Sequence, residues 1–218
     1  MPNFEILSAG NELHKLLTCV PNTPKLVTKF VDFFTSQLDF FTIHLKNVWE
    51  EELDVQLSDE GWEKCLKNIY TCSINARHQL IQYKVLHRLH YSRVKLNSFY
   101  PTISPLCNKC ESAEGSLGHL FWACPKLGEF WSEIFQFLSE AYTCELPLDP
   151  ATAVLGWSAS LRRLNNATRL PIQYGLMIAK KSILCMWKKN SKPLFKIWLL
   201  ELSSTLHVER LDIVFLEI

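Results

Sequence analysis

The stretch that most constrains this chain is a cysteine and histidine motif near its centre, from Cys107 to Cys124. Its spacing is C-x2-C-x8-H-x4-C, which places three thiols and one imidazole within eighteen residues. Three Cys and one His are the ligand set of a closed, tetrahedral structural zinc site. Asn108-Lys109 suits a tight turn between the first two cysteines, and Pro125 suits the first turn of a following helix. The predicted zinc ligands are Cys107, Cys110, His119 and Cys124.

Two other interpretations of these four residues stay open. They could be buried free thiols with one core histidine, or a redox C-x-x-C pair, which would usually open a helix within a βαβ pattern. Nothing around Cys107 has that pattern. A zinc enzyme is not expected, because a three-Cys, one-His site leaves no open position for water. A zinc deaminase would also need His-x-Glu, whereas His119 is followed by Leu120 and Phe121.

Composition indicates a folded, intracellular protein. With 218 residues, 48% of them hydrophobic, the chain can build one sizeable core or two small lobes. Its eight cysteines are mostly scattered, and no secretory signal pattern precedes them, so we expect free thiols in a reducing compartment. Charged residues interrupt the longest apolar region, residues 26–49, so no membrane span is expected.

Charge is distributed in blocks, although the net charge is only +1. Residues 64–110 contain eight Lys or Arg and no acid, and residues 150–200 contain nine Lys or Arg and no acid. Acidic segments, 49–63 and 111–149, alternate with them. Acid-free basic blocks predict an electropositive surface for a polyanion. The alternative is that the basic and acidic blocks pair with each other in the fold.

Helix signals along the chain predict an all-α fold around a small central zinc-knuckle-like hairpin. We expect a helix to begin where the sequence has a capping residue or a proline suited to the first helical position. We expect three regions: a helical linker remnant over 1–48, a helical region over 49–145 with the zinc module at 107–124, and a C-terminal helical region over 146–218. The expected helices cover about 24–48, 59–73, 75–91, 125–142, 171–189 and 193–212, with short turns over 143–168.

The helix expected over 75–91 carries the clearest candidate nucleic-acid face. At about 100° per residue, Arg77, Lys84 and Arg88 lie within about 40° of one another. No Glu is interleaved for i,i+4 pairing. Arg93 and Lys95 follow, mixed with aromatic residues, in what we expect to be an extended connection into the zinc turn. Basic residues with aromatics suit single-stranded nucleic acid; the alternatives are a solvated face and aromatic core anchors.

Four more residues complete the candidate nucleic-acid set. Trp122 is a candidate for stacking a base, or an anchor beneath the metal site. Lys181 and Lys188 lie beside the apolar stripe of the helix expected after Pro171 and could form a second basic face. Lys180 projects into that stripe, so we expect it either to snorkel to the surface or to pack its stem. The four added candidates are Lys109, Trp122, Lys181 and Lys188.

The central motif and its flanks resemble the carboxyl-terminal zinc-binding region of LINE-type (non-LTR retrotransposon) reverse transcriptases, with fish elements the nearest pattern. The resemblance covers roughly residues 45–205. It is carried by the cysteine and histidine motif with its following Phe130-Trp131 helix and by four flanking segments. These segments are Trp49-Glu-Glu-Glu-Leu53, Ser58-Asp-Glu-Gly-Trp62, Leu86-His-Arg-Leu-His-Tyr91 and Ala179-Lys-Lys-Ser-Ile-Leu-Cys-Met-Trp187-Lys-Lys.

The resemblance implies an RNA-binding region that follows a polymerase domain and takes part in target-primed reverse transcription. It assigns the zinc ligands to the same four residues, and it implies an intracellular location, in the nucleus or cytoplasm. No Tyr/Phe-x-Asp-Asp pair for two metal ions is present in the sequence, so polymerase chemistry does not carry over. We therefore expect a non-catalytic terminal fragment or a degenerate stand-alone copy. The alternative function is a zinc-stabilised scaffold that docks onto the polymerase domain or another protein.

Overall fold

A computed structural model describes residues 42–187, 189 and 191–209 and confirms the expected all-α class. The chain divides into two compact units, Met1–Lys46 and Asn47–Ile218. Of the first unit only 42–46 are described, and they are helical. Most of the helix expected over 24–48 therefore lies outside the described residues. The boundary expected between 145 and 146 falls inside the second unit.

Eight α-helices are present among the described residues. They are joined by two π-helical turns, His119–Ala123 and Ala151–Leu155, and by one 3₁₀ turn, Pro125–Leu127. The α-helices are α1 (42–53), α2 (Asp59–Thr71), α3 (Ala76–Leu86), α4 (Arg93–Phe99), α5 (Gly128–Ala141), α6 (Ala159–Arg162), α7 (Asn166–Cys185) and α8 (Phe195–Glu209).

Capping side chains set the starts of α2 and α3, within one residue of the expected positions 59 and 75. The Ser58 hydroxyl accepts from the Gly61 amide at 3.0 Å, and the Asn75 side chain accepts from the Arg77 amide at 2.9 Å. Both satisfy a backbone donor that a helix start leaves unpaired.

The start of α7 differs from the prediction. The helix begins at Asn166, not Pro171, because the Asn165 side chain caps it by accepting from the Thr168 amide at 2.9 Å. Pro171 therefore lies in the second turn, where it removes one backbone donor from a helix of 20 residues.

Two further predictions are wrong in the segment before the metal motif. Helix α3 ends at Leu86, not near Tyr91, and the Trp49 indole donates to the Leu86 carbonyl at 3.0 Å. The segment expected to be extended is instead helix α4, capped by the Ser92 hydroxyl. Arg88 lies between the two helices with a φ of 54° and so leaves the expected helical face.

Helix α7 lies at the centre of the second unit and packs against α3, α5 and α8. Its residues from Pro171 to Lys180 are all buried. The Trp198 indole of α8 donates to the Gly175 carbonyl at 2.9 Å, and Leu138 of α5 lies against the same glycine. The core is therefore built on α7. No helix of the described residues is long and apolar enough to cross a membrane.

Buried side chains cap the carbonyl end of the second π-helical turn. Lys180 is fully buried, and its ammonium donates to the carbonyls of Ala153 and Val154 at 3.0 Å each. Gln82 and Gln173 donate to the next two carbonyls, at 3.1 and 2.8 Å. Of the two alternatives for Lys180, the packed stem is therefore correct, because the ammonium does not reach the surface. Burial lowers the Lys180 pKa to about 7, an effect that nearby Cys72 and Cys65 partly offset.

Candidate metal centre

The first two candidate ligands lie on a short hairpin-like turn. The Cys107 amide donates to the Ala113 carbonyl at 2.8 Å, and the Glu111 amide donates back to the Cys107 carbonyl at 2.9 Å. The Lys109 amide points at the Cys107 sulfur, with N to Sγ at 3.4 Å. This turn directs both thiols to one side, as the two-residue gap in the sequence predicts.

The other two ligands lie at the two ends of the first π-helical turn. A π turn pairs residues five apart, and here the Cys124 amide donates to the His119 carbonyl at 3.1 Å. The x4 spacing between His and Cys therefore matches the turn that the chain adopts. Pro125 then opens the 3₁₀ turn that leads into α5, as its position in the sequence predicts.

Contacts from distant parts of the chain hold this π turn in place. The Trp131 indole of α5 donates to the Phe121 carbonyl at 2.8 Å. At the other end, the Glu52 carboxylate accepts from the Gly118 amide at 2.5 Å. The metal motif is thus fixed by tertiary structure as well as by its own turns.

The four ligand atoms all lie within 4.8 Å of one another. The Cys107 and Cys124 sulfurs are 3.9 Å apart, and the Cys110 sulfur is 3.3 Å from His119 Nε2. A tetrahedral site with metal–sulfur and metal–nitrogen bonds of about 2.3 and 2.0 Å requires ligand separations of about 3.5–3.8 Å. Cys107, Cys124 and His119 are buried and Cys110 is half-buried. The group can hold one metal ion.

Two of the thiols titrate far from the usual range in the absence of a metal. Burial, together with the neighbouring Cys107 and Cys110, raises the pKa of Cys124 to about 12. For Cys110, burial raises the pKa, but hydrogen bonds from the Ser112 hydroxyl, nearby amides and His119 outweigh it and lower the pKa to about 6. One crowded thiol therefore keeps its proton until a cation replaces it.

Several candidate nucleic-acid residues are engaged within the protein. Arg88 forms an ion pair with Glu52, and its guanidinium lies 4.6 Å from the centre of the Trp49 ring. Lys109 is buried, and its ammonium donates to the Met186 carbonyl at 3.1 Å. Acidic partners and backbone carbonyls therefore take up part of the predicted basic surface.

The expected second basic face is weakened in the same way. Lys181 forms an ion pair with Glu201 of α8, and Lys188 lies outside the described residues. The alternative of basic blocks paired with acidic ones therefore holds in part.

The other candidates lie on α3, on α4 and beside the metal. Arg77 and Lys84 are exposed on α3. Arg93 is half-buried, and its Nε has no hydrogen-bond partner among the described residues. Lys95 lies 5.4 Å from the Tyr91 ring. Trp122 is half-buried with its ring 6.0 Å from that of Trp131, so one side of the indole is used as an anchor.

Aromatic residues next to Lys95 are exposed, contrary to the core-anchor interpretation. Tyr91, Phe99 and Tyr100 are 55%, 58% and 60% exposed. Together with Lys95 they form what we call the α4 surface. Sequence reasoning missed Tyr91 as part of it, although the i,i+4 spacing from Tyr91 to Lys95 and from Lys95 to Phe99 is visible in the sequence.

The α4 surface is attached directly to the metal loop. The Arg93 amide donates to the Gly115 carbonyl at 3.0 Å, and the Asn97 side chain donates to the Ile103 carbonyl at 2.8 Å. No protein-family model matches the sequence.

Proposed function

We propose that this protein is a zinc-stabilised module that binds single-stranded RNA, and that it corresponds to the carboxyl-terminal region of a LINE-type reverse transcriptase. The observation that carries the proposal is the α4 surface, in which three exposed aromatic rings and the half-buried Lys95 lie on a helix held against the Cys107–Cys124 loop. In this proposal the protein is intracellular, in the nucleus or cytoplasm, and it works beside a polymerase domain.

Zinc is the metal that best suits this ligand set. Soft thiolates with one imidazole in a tetrahedral arrangement favour zinc over the hard cations, which prefer oxygen ligands. With all four positions taken by protein atoms, the metal has no open position for water or substrate. Its role is then to hold the loop that supports α4, and the module itself is not an enzyme.

Single-stranded RNA is favoured over a duplex because unpaired bases offer faces for stacking. Exposed aromatic rings at Tyr91, Phe99 and Tyr100 suit such bases, and Lys95 suits a phosphate between them. Helix α4 contains no acidic residue that would repel the strand. Arg77 and Lys84, both exposed on α3, would add further phosphate contacts.

Salt dependence of RNA affinity tests the proposal. Each phosphate contact releases counterions, so the slope of log affinity against log salt is about −0.7 per contact for a single strand. A fluorescently labelled uridine 20-mer should bind with a clearly negative slope. Zinc-loaded, folded protein with no measurable affinity for this RNA would overturn the proposed function.

Variants locate the binding surface. Lys95→Gln/Phe99→Ala/Tyr100→Ala should lower the affinity at least tenfold, because base–aromatic stacking contributes about 1–3 kcal/mol per base. A matched control, Lys196→Gln/Tyr70→Ala/Leu200→Ala, removes one exposed lysine and two exposed apolar side chains from α2 and α8. Equal losses of RNA affinity in both variants would show that the α4 surface is not the RNA-binding surface.

A second candidate function is docking onto a polymerase domain. Leu194, Ile197 and Leu200 are exposed at i,i+3 spacing at the start of α8, and such a row is typical of a helix that meets a partner. Leu194→Ser/Ile197→Ser should abolish capture of the polymerase domain while RNA binding survives. Capture that survives in this variant would exclude this row as the docking surface.

A further inference from the structure

A groove of about 450 Å³ lies between α2 and α7, at residues distinct from the metal ligands and from the α4 surface. Its volume is within the usual range for small-ligand sites. Lys64, Lys67 and Asn68 of α2 line one wall, and Arg169 and Gln173 of α7 line the other. Trp157 also lines the groove.

Positive charge in this groove comes from both acid-free blocks of the sequence. Lys64 and Lys67 belong to the block over 64–110, and Arg169 belongs to the block over 150–200. No Asp or Glu lines the groove in the described part of the chain. Lys67 has an exposed partner in Glu63 at 3.8 Å, which offsets little of its charge because both side chains are in water. The fold therefore creates a local positive site that faces no acidic wall.

Besides its basic side chains, the groove has an aromatic ring, that of Trp157, and a buried polar atom without a hydrogen-bond partner, Oδ1 of Asn68. The Arg169 guanidinium lies 5.3 Å from the centre of the Trp157 ring, and Trp157 is half-buried. Asn68 is only 3% exposed, and its Oδ1 has no hydrogen-bond partner among the described residues. Buried polar atoms are almost always paired. Asn68 lines the groove, so a small shift of its side chain would let this oxygen accept from a base that carries an amino or ring N–H group.

We propose that this groove binds one nucleotide of a single strand, with its phosphate on Lys64 and Arg169 and its base beside Trp157 and Asn68. The choice of RNA as the source of that nucleotide rests on the proposed function. Binding of a nucleotide in the groove does not rest on the proposed function. Titration with a mononucleotide therefore tests the groove by itself.

The first experiment titrates zinc-loaded protein labelled with fluorotryptophan with cytidine 5′-monophosphate and, separately, with inorganic phosphate. Trp157→Phe assigns the Trp157 fluorine signal among the seven tryptophans. The nucleotide should shift that signal at a concentration at least tenfold below the one that inorganic phosphate requires. An unchanged signal, or equal concentrations for the two probes, would overturn the proposal.

The second experiment measures the salt slope of RNA binding for Lys64→Gln/Arg169→Gln. Loss of the one phosphate contact that these two side chains share should reduce the slope by about 0.7. Arg162→Gln/Lys192→Gln is the matched control, because it also removes two charges but from residues paired with Glu60 and Glu129. Circular dichroism melting confirms that each variant is folded.

The outcomes separate the two proposals. If the wild-type protein binds RNA and the two double variants have equal salt slopes, the proposal that the groove binds a nucleotide is overturned. The proposed role of the α4 surface is not affected by that result. A wild-type protein that binds no RNA overturns the proposed function, and the mononucleotide titration then decides the groove by itself.

Discussion

The carboxylate of Glu52, on α1, accepts a hydrogen bond from the amide of Gly118 at 2.5 Å, across 66 residues of sequence. Gly118 immediately precedes the metal-ligating turn, and a Cβ there would lie 2.9 Å from the Glu52 side chain. The other oxygen of the same carboxylate pairs with Arg88. The side chain of Glu52 thus links Arg88, in the segment between α3 and α4, to the candidate metal centre.

Replacing Glu52 with alanine should therefore weaken the metal centre from a distance. The change leaves Arg88 part-buried without its carboxylate, so we expect the free energy of unfolding to fall by about 2–3 kcal/mol. Urea unfolding of zinc-loaded protein measures the loss, and competition with a chelator measures zinc affinity. Glu51→Ala is the control, because Glu51 is exposed one residue away. Equal effects of the two substitutions would contradict the proposed link.

Replacing Cys110 with serine should release the metal. Purified wild-type protein should hold about one zinc per chain, and the variant close to none. Because site formation and local folding are coupled, hydrogen exchange over 101–130 should accelerate in the variant. Cys185→Ser removes an exposed thiol outside the cluster and should keep its zinc. Wild-type protein that has intact thiols but contains no metal would refute the site.

Gly156 occupies a backbone position that excludes a side chain. Its φ is 76°, and a Cβ would lie 2.2 Å from the Asn68 amide nitrogen. Gly156→Ala should therefore lower the free energy of unfolding by about 2 kcal/mol or more, through left-handed strain and the clash. Gly128→Ala on α5 is the control, because a Cβ there would meet no heavy atom within 4 Å. That substitution should be neutral or stabilising by up to about 1 kcal/mol. Thermal melts of both variants decide the point.

The lowered pKa of Lys180 predicts that the stability of the protein depends on pH. Its pKa is about 7 in the folded protein, against about 10.4 in an unfolded chain. Between these values the unfolded state binds more protons, so stability rises with pH, by about 1.5 kcal/mol from pH 7 to 8.5. Burial raises the pKa of Cys65 and Cys72 to about 12 and 11, which has the opposite effect at higher pH and sets the upper limit of the window.

Urea unfolding of zinc-loaded protein across that window tests the prediction. Lys180→Arg is the control, because arginine keeps its charge throughout, so the rise attributed to Lys180 should disappear in this variant. The same rise in both proteins would mean that other groups cause it.

Local signals in the sequence are enough to predict the helical class, the starts of α2 and α3, and the four residues that can hold a metal ion. A capping side chain acts within three residues, and the four ligands act within eighteen, so their consequences appear in the sequence itself. The start of α7 is harder to predict, because Asn165-Asn166 fits a break in regular structure as well as a helix cap.

Tertiary structure alone decided which charges face solvent. Arg88, Lys109 and Lys181 carry the same charge in the sequence as Arg77 and Lys84, but contacts with Glu52, Met186 and Glu201 occupy them. These contacts span 20 to 77 residues, and no local pattern encodes them. The groove between α2 and α7 is non-local in the same way. The sequence by itself determined what can bind a metal, because ligand spacing is a local property. Only the fold determined which basic and aromatic side chains remain exposed, because burial depends on what packs against each residue.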